Sequence, residues 1–202
     1  MRTAIVLAGG KSSRIGVDKG LVILNEKPLV TYVVERLESV VDEIILVVGS
    51  QAQLAAYEGF GPRVIRDKIQ GSTPLVGAYT GFIEASGEYT FLTAVDQPLL
   101  NHRIVELLFK KAQGHDAATP TWANGWVEPL HAVYKTRPSA AAAKRLIEAG
   151  DKTLGMILST LRDVVHIPVD EVKTLDPELL TFMDVDTPED LEKISCLLAE
   201  NR

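Results

Sequence analysis

The feature that most constrains this chain is a glycine-rich, basic segment that directly follows its first apolar run. Residues 3–7 read TAIVL, which is typical of a buried strand. Residues 9–19 then contain three glycines, two serines and three cationic side chains. Backbone N–H groups in such a segment can surround an anion while lysine and arginine neutralise its charge. The sequence therefore predicts a fold that begins with a strand and a polyphosphate-binding loop.

The spacing of these glycines excludes two common kinds of phosphate loop. The pattern G-x-x-x-x-G-K-[ST] is absent because Val17 and Asp18 follow Gly16, and the dinucleotide pattern G-x-G-x-x-G is absent as well. The glycines alone fit an ordinary strand-to-helix turn equally well. Arg14 and Lys19 favour an anion-binding loop, because a turn requires neither cation.

Strands and helices are predicted to alternate along the whole chain. The predicted strands cover residues 3–8, 43–48, 63–66, 88–95, 116–119, 130–134, 164–168 and 182–184. The predicted helices cover about 28–39, 51–58, 74–85, 101–112 and 138–149, with a last helix that Thr187 caps. Nearly continuous apolar strands between helices predict an α/β fold, a three-layer α/β/α sandwich with a mostly parallel sheet. Ligands bind at the carboxyl ends of such strands, where the basic loop, Asp67 and Asp96 are expected to lie.

Composition limits the classes of protein that this chain can represent. Its 202 residues, 46% hydrophobic and 24% charged, are expected to form one domain over residues 1–202. A net charge of −6 without a basic tract argues against a nucleic-acid partner. A single cysteine, Cys196, excludes an internal disulfide and a multi-cysteine metal site. We expect no membrane span and no signal segment, and hence a cytoplasmic location.

A longer pattern in the first loop resembles that of a known family. The residues L-A-G-G-x-S-x-R-I-G-x-D-K-x-L at 7–21 are similar to the signature of the molybdenum cofactor guanylyltransferases. Residues 25–29, N-E-K-P-L, resemble the family's N-G-K-P-L turn, with Glu26 where glycine is common and Ile15 where methionine is usual. The resemblance implies a Rossmann-like nucleotidyltransferase of the nucleotide-diphospho-sugar transferase type. Residues 1–100 would bind the nucleotide and residues 101–202 the acceptor.

The resemblance also implies a reaction and a set of site residues. GMP would pass from GTP to the terminal phosphate of molybdopterin or its molybdenum-bound form, with release of pyrophosphate. The implied catalytic residues are Arg14, Lys19 and Asp96. The implied nucleotide-binding residues are Leu7, Ala8, Gly9, Gly10, Ser12, Lys19, Asp67 and Asp96. Transient contacts with proteins that deliver the cofactor or mature molybdoenzymes are compatible with this role.

Asp96 is the candidate ligand for Mg²⁺. It ends an apolar strand, where an aspartate can hold Mg²⁺ against phosphate oxygens or can simply cap the next turn. The family places its Mg²⁺-binding aspartate in a strand-end C-D-x-P motif, and here Val95 stands in place of the cysteine. The resemblance therefore implies that Asp96 binds the metal.

Two further segments resemble the family's substrate-binding regions. Asp67 matches the aspartate that contacts the guanine nucleotide, although it could also only begin a polar turn. Asp184 and Asp186 stand where the family has two asparagines that are associated with the acceptor, so they could bind metal or pterin N–H groups, or cap the last helix. Trp122 and Trp126, which flank Asn124-Gly125, could stack on a flat pterin or anchor a hairpin.

Three other functions stay open on the sequence alone. A different phosphorylated acceptor, such as a cobinamide, sugar or polyol phosphate, would leave the first loop unchanged. A nucleotide-binding module without turnover would not require Arg14, Lys19 and Asp96 together. An NAD-binding oxidoreductase would require an acidic residue after the second strand, and residues 47–50, VVGS, do not supply one.

Overall fold

A mainly parallel sheet organises the part of the chain that the computed structural model describes, which is residues 1–9, 18–69 and 73–200. The strands are β1 (Arg2–Leu7), β2 (Ile23–Leu24), β3 (Lys27–Pro28), β4 (Glu43–Val48), β5 (Arg63–Arg66), β6 (Tyr89–Ala94), β7 (Ala117–Thr121), β8 (Ala132–Lys135) and β9 (Val164–Pro168). The helices are α1 (Leu29–Leu37), α2 (Gln51–Tyr57), α3 (Pro74–Glu84), α4 (His102–Ala112), α5 (Thr136–Glu148), α6 (Met156–Thr160), α7 (Val169–Lys173) and α8 (Pro188–Glu200). Short 3-10 turns cover Lys19–Leu21, Glu58–Phe60 and Leu180–Phe182.

The order of the main sheet is β5-β4-β1-β6-β8-β7-β9. β1 pairs in parallel with β4 and β6, β4 pairs in parallel with β5, and β7 pairs in parallel with β9. β8 runs antiparallel to both of its neighbours, β6 and β7. The carboxyl ends of β1, β4, β5, β6 and β7 therefore lie along one edge of the sheet, as the alternation of strands and helices predicts.

Helices cover both faces of the sheet, which confirms the predicted three-layer arrangement. Successive residues of β1 explain why: Ala4 and Val6 pack into the core under α1 and α4, whereas Ile5 packs into the core under α3 and α5. α3 lies unusually close to the sheet, because a Cβ on Gly81 would come within 2.6 Å of the Ile5 side chain. A third apolar cluster joins the β2–β3 hairpin to α8. No helix within the described ranges is both long and apolar enough to traverse a lipid bilayer.

Local capping signals begin several helices where the sequence predicts them. The Ser50 hydroxyl accepts from Gln53 N–H at 3.2 Å at the start of α2. Before α8, the Thr187 hydroxyl accepts from Asp190 N–H at 3.2 Å, and the Asp190 carboxylate accepts from Thr187 N–H at 2.9 Å. This reciprocal arrangement is a capping box and confirms the predicted cap at Thr187.

The turn between β2 and β3 shows why the family pattern favours glycine at the position of Glu26. Asn25 and Glu26 have φ values of 46° and 70°, in the left-handed region that glycine adopts most easily. Two positive φ values in a two-residue hairpin loop are typical of a type I′ turn, for which Asn-Gly is the preferred sequence. Glu26 therefore occupies a strained backbone position that a glycine would relieve.

The predicted strand over residues 182–184 is wrong. Leu180–Phe182 form a 3-10 turn instead, in which Phe182 N–H and Met183 N–H donate to the Leu179 and Leu180 carbonyls at 3.1 and 3.0 Å. Thr181 N–H donates to the Asp176 carboxylate at 2.8 Å, and Val185 N–H donates to the Asp96 carbonyl at 2.9 Å. The sequence analysis also did not predict strands β2 and β3, which have two residues each, or helices α6 and α7, which have five residues each.

Candidate active site

A cavity of about 260 Å³ opens at the edge of the sheet where the parallel strands end. Apolar and charged side chains from separate elements line it together: Leu7, Val47, Lys19, Asp67, Asp96 and Leu130. Gly9 also lines this cavity. The structure thus brings Leu7, Gly9, Lys19, Asp67 and Asp96, five of the residues that the sequence selected, to a single concave surface.

Lys19 forms the electrostatic centre of this surface. Its Nζ donates to Asp96 Oδ2 at 2.8 Å and also forms an ion pair with Asp186. The Lys19 and Asp96 side chains are 17% and 18% exposed, so both are accessible from the cavity and only partly hydrated. Burial alone lowers the pKa of Lys19, but the hydrogen bonds to Asp186 and Asp96 outweigh it and raise the pKa above its ordinary value. Lys19 is therefore a permanent cation at neutral pH.

A third carboxylate, Asp184, lies beside this ion-paired group. Burial raises the pKa of Asp184 to about 6, and the negative charges of Asp96 and Asp186 act in the same direction. A hydrogen bond from Gln97 partly opposes the shift. Gln97 is itself held in place, because its Oε1 accepts from the Thr93 hydroxyl at 2.6 Å. Because burial is the main cause and the neighbouring carboxylates add to it, Asp184 holds a proton more readily than an exposed aspartate does.

The carboxylates of the site suit a divalent cation whose remaining ligands come from water and substrate. Asp96 and Asp186 reach the same ammonium group, so their carboxylates converge on one small region. Within the described ranges, no group of three or more His, Cys, Asp or Glu side chains is arranged to hold a metal by itself. Mg²⁺ is commonly held by one or two carboxylates, with water and substrate phosphate supplying the remaining ligands. Asp96 and Asp186 match that arrangement.

Asp67 provides a carboxylate on the opposite side of the cavity. It follows β5, and its N–H donates to the Val48 carbonyl at 2.8 Å. Its Oδ1 is buried and has no hydrogen-bond partner among the described residues. Burial raises the pKa of Asp67 to about 6, although the Thr80 hydroxyl lowers it in part. An acceptor in this state is suited to a ligand that brings its own N–H donors.

The strand end that leads into the first loop is packed closely. Ala8 N–H donates to the Val47 carbonyl at 2.8 Å, and Leu7 accepts from Val95 N–H at 3.1 Å. A Cβ on Gly9 would come within 3.4 Å of the Gly49 nitrogen, so a glycine at position 9 lets the ends of β1 and β4 lie close together. The roles of Leu7, Ala8 and Gly9 in nucleotide binding stay predictions. The predicted residues Gly10, Ser12 and Arg14 lie outside the described residues.

The two tryptophans belong to one hairpin but have different environments. Trp122 N–H donates to the Trp126 carbonyl at 2.8 Å, and Gly125 has a φ of 86° in the turn. Trp122 is anchored, because its Nε1 donates to Glu128 at 2.6 Å and its ring lies 6.0 Å from that of Phe182. Trp126 is 74% exposed. The hairpin follows β7 and so lies at the same edge of the sheet as the cavity.

Sequence reasoning missed three polar residues around the site: Gln97, Gln53 and Tyr57. Gln97 directly follows Asp96, and α2 carries the other two. In the structure, Gln53 and Tyr57 of α2 both bond to Asp18, the residue before Lys19. These partners are 35 and 39 residues away from Asp18 along the chain, and no local spacing signals such a contact.

Comparison with known proteins identifies the family. The model of the MobA-like NTP transferase domain matches residues 4–165. The chain belongs to this family. It is therefore a nucleotidyltransferase, and the matched region includes Lys19, Asp67 and Asp96. The same family membership was implied by the first loop, so that prediction is confirmed.

Curated relatives span nearly the whole chain. A probable molybdenum cofactor guanylyltransferase of Methanosarcina mazei is 39% identical over 96% of this chain and 89% of its own length. A protein with the same description from Natronomonas pharaonis is 38% identical over 95% of this chain and 96% of its own length.

Solved structures confirm the predicted fold class. The molybdopterin-guanine dinucleotide biosynthesis protein A of Archaeoglobus fulgidus superposes with a TM-score of 0.86 at 27% identity, over 99% of this chain and 100% of that one. A nucleotidyl transferase of Methanothermobacter has the same fold, with a TM-score of 0.76 at 20% identity over 100% of this chain and 99% of that one.

Proposed function

We propose that this chain transfers GMP from GTP to the terminal phosphate of molybdopterin or its molybdenum-bound form, and releases pyrophosphate. The observation that carries the proposal is the convergence of Lys19, Asp96 and Asp186 beside the cavity. The full-length similarity to proteins described as probable molybdenum cofactor guanylyltransferases supports the choice of donor and acceptor. In this proposal the reaction takes place in the cytoplasm.

The chemistry requires positioning and charge neutralisation more than a strong base. A phosphomonoester has a second pKa of about 6 and is mostly dianionic at neutral pH. An oxygen of the acceptor phosphate forms a bond to the α-phosphorus of GTP, and the bond from that phosphorus to the bridging oxygen of pyrophosphate breaks. We assign Lys19 to the negative charge that develops around the α-phosphorus, because its raised pKa keeps it cationic. Arg14 and Ser12 would bind the triphosphate by family resemblance.

Asp96 and Asp186 are the residues that would hold Mg²⁺. When bound, the metal polarises the α-phosphate and neutralises the leaving pyrophosphate. The protein residues keep the cation in place, and the ion pairs to Lys19 orient both carboxylates toward the same point. The predicted role of Asp96 as a metal ligand is thus extended to Asp186, an aspartate at a position where the family has asparagine.

Asp67 is the candidate for recognition of the base. Guanine presents N1–H and N2–H₂ as two adjacent donors, whereas adenine has no such pair on the corresponding edge. The buried Oδ1 of Asp67 has no partner among the described residues and would accept one of these donors. Leu7, Ala8 and Gly9 lie beside it at the strand end, where backbone contacts to the nucleotide are expected.

The halves of the chain would divide the substrates between them. Residues 1–100 contain Lys19, Asp67 and Asp96, and we assign them to GTP. Residues 101–202 contain the tryptophan hairpin and Asp184, and we assign them to the acceptor. The exposed indole of Trp126 provides a flat surface of the kind on which a pterin ring can stack.

A matrix of donors and acceptors tests the proposal. Pyrophosphate release is measured with Mg²⁺ and GTP, ITP, ATP or CTP, each combined with molybdopterin, cobinamide phosphate or a sugar phosphate. We expect turnover with GTP and molybdopterin, and little with the other pairs. Faster turnover with another acceptor would replace molybdopterin with that acceptor. Tight GTP binding without pyrophosphate release in any combination would indicate a binding module and contradict the proposal.

A further inference from the structure

Asp18 connects the turn that carries Lys19 to the helix α2. Its Oδ1 accepts from Gly20 N–H at 3.2 Å, which caps the 3-10 turn Lys19–Leu21. The same oxygen accepts from the Tyr57 hydroxyl, and Oδ2 accepts from Gln53 Nε2 at 2.6 Å. The carboxylate is therefore held on both oxygens, and the backbone of the turn has a fixed position relative to α2.

Gln53 joins the two sides of the first loop. Its Nε2 donates to the Ala8 carbonyl at 3.1 Å as well as to Asp18, and its Oε1 accepts from Gly49 N–H at 3.0 Å. Ala8 comes before residues 10–17 and Asp18 follows them directly. One amide group thus connects the ends of β1 and β4 to the residue at which the loop ends. This arrangement fixes the distance between the two ends of the phosphate-binding segment.

Tyr57 makes the second contact between α2 and Asp18. Its ring is fully buried, and its hydroxyl lies so close to the Gly20 backbone that a Cβ on Gly20 would overlap it. Burial raises the pKa of Tyr57, and the hydrogen bond to Asp18 raises it further, so the hydroxyl stays a proton donor. The Tyr57 hydroxyl therefore packs directly against the backbone of the turn Lys19–Leu21.

The position of the Lys19 ammonium group depends on how the turn Lys19–Leu21 is held. A lysine side chain has several rotatable bonds and loses considerable conformational freedom when its ammonium group is fixed. Lys19 reaches Asp96, which is 77 residues away, at 2.8 Å. Small displacements of a reacting group reduce catalysis strongly, because the stabilising charge no longer meets the transition state.

We propose that Gln53 and Tyr57 are positioning residues for the phosphate-binding loop, and that they act on Lys19 through Asp18. The inference rests on the proposed function, because it requires Lys19 to act on the triphosphate. Neither side chain needs to touch a substrate. Their loss is expected to reduce the rate of the chemical step while the nucleotide still binds.

Kinetics of point variants, alone and combined with Lys19→Ala, test the proposal. Tyr57→Phe removes only the hydroxyl, and Gln53→Ala removes the amide. We expect each to lower kcat about tenfold and to change KM for GTP less than about threefold. Gln51→Ala is the matched control, because Gln51 is an exposed glutamine on the same helix. We expect its kcat to stay near that of the parent protein.

The double variants separate positioning from general damage to the fold. If Gln53 and Tyr57 act through Lys19, their substitutions should change kcat less than about twofold when Lys19 is already alanine. A full tenfold loss in the Lys19→Ala background would contradict the proposal, as would normal kcat in both single variants. Thermal unfolding identifies any variant that does not fold. If one of Tyr57→Phe and Gln53→Ala fails to fold, the kinetics of the other variant decide the test.

The same experiment distinguishes failure of the inference from failure of the proposed function. If Lys19→Ala retains normal pyrophosphate release, the assigned role of Lys19 is wrong and the positioning role fails with it. If Lys19→Ala loses activity but Tyr57→Phe and Gln53→Ala do not, only the positioning role is wrong.

Discussion

Two polar clusters in this protein differ in how far they are exposed to solvent. The cluster of Lys19, Asp96 and Asp186 lies beside the cavity, and its members are partly exposed and charged. The cluster of His131, Thr181 and Asp176 is buried, and His131 and Thr181 are fully inaccessible to solvent. His131 Nε2 lies 3.0 Å from the Thr181 hydroxyl, and Thr181 N–H donates to Asp176 at 2.8 Å.

The difference shows how the fold separates function from stability. Burial lowers the pKa of His131 to about 3, so this histidine is neutral at physiological pH and packs against aromatic rings. At the cavity, ion pairs keep Lys19 charged despite partial burial. A charge is maintained where an anionic ligand can approach, and a polar group is neutral where the fold must exclude water. Substitutions in the two clusters should therefore affect different measurements.

The largest expected effect belongs to the charged cluster. Asp96→Asn keeps the size of the side chain but removes a negative charge from the site, and we expect kcat to fall by at least about a hundredfold. Asp170→Asn is the matched control, because Asp170 is exposed on α7 and pairs only with its helical neighbour Lys173 among the described residues. Steady-state pyrophosphate release measures both. Normal turnover in Asp96→Asn with an intact fold would remove Asp96 from the chemistry.

A substitution in the buried cluster of His131, Thr181 and Asp176 should change stability rather than turnover. His131→Ala leaves a cavity between Phe91 and Phe182 and removes a partner of Thr181, so we expect a loss of about 2–4 kcal/mol in the free energy of unfolding. The kcat of the folded fraction should change little. Urea titration measures the loss, and His102→Ala, at an exposed site, is the control. A large fall in kcat without loss of stability would contradict the assignment of this buried cluster to stability.

The pH dependence of stability sharpens this second prediction. His131 has a folded pKa of about 3, below the ordinary value of 6.5, so its unfolded form takes up a proton first as the pH falls. Its contribution to the free energy of unfolding is present above pH 6.5 and decreases as the pH falls toward 3. The decrease should be shallower in His131→Ala than in the parent protein or in His102→Ala.

Asp67 should give an intermediate effect that is confined to the nucleotide. Asp67→Asn replaces one acceptor with a donor, so we expect GTP affinity to fall about tenfold and discrimination against ITP to decrease. Because the pKa of Asp67 is about 6, GTP affinity of the parent protein should also fall as the pH drops through 6, when the carboxylate becomes protonated. Calorimetry with both proteins tests this, and the titration of GTP itself cancels in the comparison. Equal pH dependence in the two proteins would contradict the assignment of Asp67.

The smallest effect is expected at a backbone position outside both clusters. Glu26→Gly relieves a positive φ of 70° in the β2–β3 turn, and we expect it to increase the free energy of unfolding by about 1 kcal/mol. Turnover should stay unchanged, because the hairpin packs on α8 rather than lining the cavity. Chemical denaturation measures the gain, and Glu35→Gly within α1 is the contrast, which should destabilise. A loss of stability in Glu26→Gly would show that the turn is not strained.

The elements that the sequence predicted correctly are those with a strong local pattern. β4 over Glu43–Val48 and β9 over Val164–Pro168 agree with the predicted limits, because short runs rich in valine and isoleucine define a strand locally. The strand expected over residues 182–184 is a turn instead, because Phe182 N–H and Met183 N–H donate to the nearby carbonyls of Leu179 and Leu180. The next residue in this region with a long-range bond is Val185, whose N–H donates to the Asp96 carbonyl, and such a distant partner leaves no periodic signal.

The sequence by itself determined the layered α/β fold, and it predicted a phosphate-binding segment and the candidates Lys19, Asp67 and Asp96. The fold follows from the periodicity of residues that are close along the chain, and the candidates follow from short motifs that resemble those of the family. Only the tertiary structure decided that Asp186 pairs with Lys19 across 167 residues, and that Gln53 connects Ala8 to Asp18. The physical reason is that side chains from separate elements meet only after the packed sheet has fixed where each strand and helix ends.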